Sequence, residues 1–81
     1  MSGHVLIIDA LSNRRIQLQA LMDAACYRLD QAESQMDGLS RIKSDPPDVV
    51  IVAHDLPGLR LPQFFKALRL SPATRLTTVL V

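Results

Sequence analysis

The stretch that most constrains this chain is Pro46-Pro47-Asp48-Val49-Val50-Ile51-Val52-Ala53-His54-Asp55-Leu56-Pro57-Gly58. Two successive prolines end any helix before them, and each pushes its predecessor toward extended backbone. Val49 to Ala53 follows as an unbroken apolar, mostly β-branched run, the pattern of a strand covered on both faces in a parallel sheet. His54 and Asp55 then stand at that strand's carboxyl end. Pro57-Gly58 supplies the fixed φ and the permissive residue that the two central positions of a type II turn require. In open α/β sheets, ligands and chemistry gather outside the carboxyl ends of central strands. Function is therefore expected at Ala53 to Asp55, where a methyl group sits beside two polar side chains.

The rest of the chain supplies the sheet that such a strand needs. Val5-Leu6-Ile7-Ile8, closed by Asp9, is a second buried parallel strand. Ser12 is the expected N-cap of a helix that stops near Ala25-Cys26, with Ile16, Ala20, Met22 and Ala24 facing inward. Arg14, Arg15, Gln17, Gln19 and Asp23 are expected to point outward. Cys26 reads as a small buried hydrophobe at the helix end, with no cation pattern to stabilise a thiolate. From Tyr27 to Ala32, Tyr27 and Leu29 alternate with Arg28 and Asp30, which suits an edge strand with one wet side. Ser34 and Asp37 form an S-x-x-D start signal for a second helix, whose Met36, Leu39 and Ile42 recur at helical spacing and read as core. Leu61, Phe64, Phe65 and Leu68 define a third amphipathic helix with Pro62 in its first turn, ended by Ser71-Pro72. Thr77 to Val81 is a last short β-type run. The order βαβαβαβ means parallel strands joined by right-handed helical crossovers.

Size and charge narrow the function classes. Eighty-one residues, 48% hydrophobic and 21% charged, describe one small globular domain rather than a disordered chain. No apolar run approaches the roughly 20 residues of a membrane span, and no basic region leads into an apolar stretch and cleavage site at the start, so a cytoplasmic protein without membrane contact is expected. The single cysteine excludes an intramolecular disulfide and a Cys-rich zinc site. The net charge of +1 is unevenly spread: residues 1–55 carry −3, and residues 56–81 carry +4 from Arg60, Lys66, Arg69 and Arg75 with no acid. These four cations read either as a solvated helix face or as a partner surface. Separated cations without interleaved aromatics argue against direct nucleic-acid binding.

In order and spacing these motifs resemble the receiver domain of two-component response regulators. Val5 to Asp9 is similar to the first strand with its acidic end, Pro47 to Val52 to the third strand, Leu56-Pro57-Gly58 to the turn after the phosphorylation site, and Ser71 to Arg75 to the loop before the fourth strand. The resemblance implies an α/β, flavodoxin-like parallel sheet in the order 2-1-3-4, with the site at the switch point between strands one and three. It also implies that residues 1–81 form a single receiver-like domain equivalent to the N-terminal two-thirds of a full receiver. The fifth strand, the switch hydroxyl and the lysine of the family would lie beyond Val81.

The chemistry implied is Mg²⁺-assisted transfer of a phosphoryl group from a phosphohistidine to an aspartate ending the third strand. The metal is held there by an acidic pair closing strand one, by the acceptor, and by a carbonyl two residues after it. Asp9 keeps the first acid. Ala10 stands at the second acid and Ala53 at the acceptor, while Asp55 keeps the carbonyl position and adds a carboxylate. A methyl group neither takes a phosphoryl group nor binds metal, so the expectation is a degenerate, non-enzymatic receiver that needs no cofactor and signals by docking. Its implied partners are an output domain such as a diguanylate cyclase, a histidine kinase or another receiver. Pairing of two copies through the fourth-strand edge is a further expectation. The alternative is an active phosphoacceptor using Asp55 with Asp9, with Mg²⁺ held weakly by those two acids. It would displace the nucleophile by two strand rises, about 6–7 Å. His54, a lone histidine at a strand end, reads as structural rather than as acceptor or ligand. A flavin site is excluded by the loop Ala10 to Arg14, which lacks the Ser/Thr/Gly character of a phosphate cradle.

Overall fold

The computed structural model describes residues 3–75 and 77–81. Strands β1 (His4–Ile8), β2 (Arg28–Ala32), β3 (Val49–Val52) and β4 (Thr78–Leu80) alternate with helices α1 (Ser12–Ala24), α2 (Gln35–Ser44) and α3 (Leu61–Leu70). All strand pairs are parallel, in the order β2-β1-β3-β4, as the alternation of elements requires. Ile8 pairs with both Ala32 and Val52, so the three carboxyl ends are level. The ladder continues one step further, with Asp9 N–H donating to the Ala32 carbonyl at 3.0 Å and Ala53 N–H to that of Ile8 at 3.0 Å. That step puts Asp9 and Ala53 side by side at the strand ends.

The two faces of the sheet are unequally covered. On one side Leu6, Ile8, Val50 and Val52 pack with Ile42 of α2, with Phe64 and Leu68 of α3, and with Leu56. Phe64 is fully buried and meets Phe65 edge-on, with centroids 6.4 Å apart. On the other side Val5, Ile7 and Leu29 meet Leu18 and Met22 of α1, and Val49 and Ile51 remain half-buried. The expectation that β3 is covered on both faces therefore holds for only one of them.

Helix α1 also departs from expectation, for it buries no residue. Ile16 is 64% exposed, Ala20 and Ala24 are exposed, and Met22 is half-buried. The pair facing the sheet is Leu18 and Met22, four apart on one stripe. Ile16, two positions before Leu18, is turned about 200° away from it. Ser12 is the first helical residue rather than the cap. The capping position is Leu11, whose N–H is satisfied by Asp9 Oδ1 at 2.9 Å.

The helix ends where Ala25 and Cys26 were expected to end it, but Cys26 is exposed and not buried. Its φ of 61° places it in the left-handed region. Cys26 N–H donates to Asp23 O and Tyr27 N–H to Met22 O, the paired bonds of a Schellman end. Backbone geometry, not packing, is what this position satisfies.

In α2 the start signal is realised, with Ser34 Oγ accepting from Asp37 N–H at 3.1 Å. The inward residues are Gly38 and Ile42, with Leu39 half-buried. Met36, expected in the core, is 82% exposed because it lies about 200° around the helix from Gly38. A Cβ at Gly38 would meet Ile8 Cδ1 and come within 2.8 Å of Ile8 Cγ1, so the absence of a side chain sets how closely α2 approaches β1.

After β3 the chain turns as Pro57-Gly58 predicts. Leu59 N–H donates to Leu56 O at 3.1 Å, and Gly58 has φ 74°. Pro62 occupies the first turn of α3. No helix among the described residues is long and apolar enough to cross a membrane.

Candidate functional site

The carboxyl ends of β1 and β3 bring Asp9, Ala10, Ala53 and Asp55 to one place. Asp9 is 4% exposed, and the half-buried Ala53 packs its methyl against the core; Ala10, His54 and Asp55 are exposed. Leu56 N–H bonds to the Ala53 carbonyl at 3.1 Å, which folds the loop carrying His54 and Asp55 back over the strand end.

Between the two acids lies a side chain that hydrophobic periodicity assigned to solvent. Arg14 Nη2 donates to Asp9 Oδ1 at 2.9 Å and to Asp55 Oδ1 at 2.8 Å. Its Nε is also 2.8 Å from Asp9 Oδ2, with the N–H directed past that oxygen, so this contact is electrostatic rather than a hydrogen bond. The guanidinium thus joins the β1–α1 turn to the β3–α3 loop. The Arg14 hydrogen bond holds the Asp55 carboxyl below its ordinary range, and the bonds to Asp55 and Asp9 push Arg14 further up. The neighbouring Arg15, also expected to point outward, turns back as well. Its Nη1 donates to the Asp9 carbonyl at 2.6 Å and its Nε to Gln31 Oε1 at 3.1 Å.

A hard divalent cation needs several oxygen ligands in near-octahedral array. Here Ala10 and Ala53 offer methyl groups, and the span between the two remaining carboxylates is filled by a cation that is part of the chain. As the side chains stand, these residues do not fit Mg²⁺, and no step of a mechanism passes through it.

The four cations of the second half do not form one patch. Arg60, at the N-cap of α3, lines an open groove of about 660 Å³ with Gln35, Met36, Lys43 and Pro57. Arg75 lies near Pro46 and Asp48, at the opposite end of the sheet. Arg69 Nη1 is occupied by the carbonyls of Arg75 at 2.7 Å and Thr77 at 3.1 Å, so it ties the loop between α3 and β4. Lys66 is exposed on α3.

At the amino end, His4, Asp30 and Asp45 place one ligand-type atom each within 4.8 Å of one another. The atoms of that cluster already have partners: His4 Nε2 meets Asp30 at 2.6 Å and Arg28 meets Asp45 at 2.6 Å.

Arg14 is the residue that sequence reasoning missed. The available signal was its place in the first turn of the helix that leaves Asp9, five residues on, where a long side chain can reach back over the strand ends.

No family model matches this chain, and no curated relative matches it. Solved structures do. The chain is similar to the chemotaxis response regulator CheY4 of Vibrio cholerae, with a TM-score of 0.88 and 22% identity over 98% of this chain and 66% of that one. It is similar to the N-terminal domain of a response regulator receiver protein from Methanoculleus marisnigri, with a TM-score of 0.83 and 21% identity over 95% of this chain and 63% of that one. A signal receiver domain of two-component signal transduction from Clostridium thermocellum matches at 0.76 and 23%, over 98% and 66%. The chain therefore spans just under two-thirds of the length of these structures.

Proposed function

We propose that this chain, whose fold is that of response regulator receiver domains, is a regulatory interaction domain of two-component signalling that acts by docking and takes no phosphoryl group. The observation that carries this reading is the methyl of Ala53. It sits level with Asp9 at the sheet's carboxyl end and packs into the core, where a phosphoacceptor would need a carboxylate. Asp55 does not replace it as a nucleophile. One of its oxygens is held by Arg14, and lowering its basicity in this way weakens it toward an incoming phosphoryl group. The residues that remain suit recognition better than catalysis. Exposed Met36 with Lys43 and Arg60 beside an open groove offers an apolar centre with a basic rim to an acidic protein surface, such as that of a histidine kinase, another receiver or an output domain.

The test is exposure of the protein to acetyl phosphate and Mg²⁺, followed by intact-mass measurement. No added phosphoryl mass is expected. A stable adduct that disappears in Asp55→Asn would replace this reading with that of an active phosphoacceptor.

A further inference from the structure

The position of Arg14 has a chemical meaning beyond an ordinary surface ion pair. Its Nη2 lies within 3 Å of one oxygen from each acid, the point that a cation shared between Asp9 and Asp55 would occupy. We propose that the Arg14 guanidinium is a built-in substitute for a divalent metal, holding the Asp9 and Asp55 loops together permanently and keeping metal out. This shares its site with the docking reading but does not depend on the absence of phosphorylation.

Three features carry it. The first is charge: two carboxylates and one guanidinium leave a single net negative charge, whereas a divalent ion binding there would have to settle beside a fixed positive group. The second is ligand count: with no side-chain oxygen from Ala10 and Ala53, a Mg²⁺ ion there would be held by two carboxylates and its own water, weakly enough for one adjacent fixed cation to exclude it. The third is the nature of the occupant. A guanidinium is weakly hydrated, stays protonated and offers several donors in one plane, so it can span two carboxylates at little desolvation cost. Because Arg14 lies in the first turn of α1, it is tethered at high effective concentration and cannot be diluted away. A receiver-fold site wired in this manner has one arrangement of its loops at any metal concentration. The surface around Asp55 is then presented to a partner in a constant form.

The decisive experiment is a titration of the protein with MgCl₂ against KCl at matched ionic strength, followed through the backbone amide resonances of Asp9, Leu11, Ala53 and Asp55. It is run on the wild type, Arg14→Met and Arg14→Lys. The wild type should show no Mg²⁺-specific shift. Arg14→Met should show saturable Mg²⁺-specific shifts, with an affinity at least roughly tenfold tighter than the limit set by the flat wild-type titration. Arg14→Lys, which restores a cation without the planar fork, should again exclude the metal. Saturable Mg²⁺ binding by the wild type, or equally flat titrations for the wild type and Arg14→Met, overturns the proposal.

Should Arg14→Met fail to fold by circular dichroism, Asp55→Asn gives an independent reading. Breaking that arm of the bridge should shift the amides of His54, Leu56 and Gly58, and a change confined to residue 55 overturns the proposal instead. A wild type that binds Mg²⁺ yet gains no phosphoryl mass would remove the built-in cation while leaving the docking reading in place.

Discussion

Replacing Gly38 by alanine sets two effects of known size against each other. In an exposed helix interior, alanine in place of glycine stabilises by about 1 kcal/mol, since glycine loses more backbone freedom on folding. Gly38, however, is buried, and the new Cβ would meet Ile8 Cδ1 and lie 2.8 Å from Ile8 Cγ1. Ile8 is 0% exposed and enclosed by Val52, Phe64 and other core residues, so its side chain has no open space into which to retreat. Overpacking of this kind costs about 1–3 kcal/mol, so Gly38→Ala should destabilise by about 1 kcal/mol net. In a domain of this length that lowers the thermal midpoint by about 4–8 °C.

The cause is separable by a double-mutant cycle. Ile8→Val removes the methyl that the new Cβ strikes and alone costs about 0.5–1.5 kcal/mol. In that background the alanine methyl fills part of the space left behind, so the two losses should not add, and a coupling of about 1 kcal/mol is expected. Urea unfolding followed by circular dichroism gives each corner of the cycle. A Gly38→Ala protein as stable as wild type, or one whose loss is unchanged by Ile8→Val, would refute the argument that this contact sets the α2–β1 spacing.

Two further outcomes follow from local geometry. Cys26→Gly should raise stability by about 0.5–1 kcal/mol, because a left-handed residue at the end of α1 strains any side chain while both Schellman hydrogen bonds survive the change; a less stable variant in urea would count against it. The Arg14 hydrogen bond holds Asp55 below the ordinary aspartate value of 3.8, so its contribution is fully present above that pH and is lost as the pH falls through the lower folded value. The stability difference between wild type and Asp55→Asn should accordingly be constant from pH ~7 to ~5 and fade below pH ~4, and it should be modest because the carboxylate is half exposed; a difference that does not change with pH would exclude the Arg14 contact as its source.

What could be read in the chain depended on which physical signal each element carries. β1 and β3 were legible because a buried parallel strand must be apolar at every position, and Val5 to Ile8 and Val49 to Val52 are. The cap at Ser34 and the turn at Pro57-Gly58 were legible because each depends on side-chain or backbone chemistry confined to three or four residues. The rotation of each helix about its own axis was not. Apolar spacing assigned Met36 and Ile16 to the core, whereas α2 is oriented by Gly38, which carries no hydrophobic signal and acts through the side chain it lacks. Cys26 was misplaced for a similar reason, since its composition suggests burial while its backbone angle decides its setting. At the site, Ala53, Asp9 and Asp55 were found from their distance to strand ends. Arg14 was not, because a charged residue on a helix reads as solvated unless the helix is known to start beside two acids.

The uneven covering of the sheet has a consequence for the order in which the fold comes apart. Helices α2 and α3 drive Ile42, Phe64 and Leu68 into a closed cluster, while α1 rests on half-buried Leu18 and Met22 and on the polar grips of Arg14 and Arg15. Cooperative units with fewer buried apolar contacts open at lower free energy than the whole. Helix α1 is therefore expected to behave as a separate foldon that lifts from an otherwise intact sheet. Its amide hydrogens should exchange by local opening long before those of β1 and β3. Because Arg14 rides on that helix, its bonds to Asp9 and Asp55 are among the contacts that resist such opening and tie the helix to the strand ends.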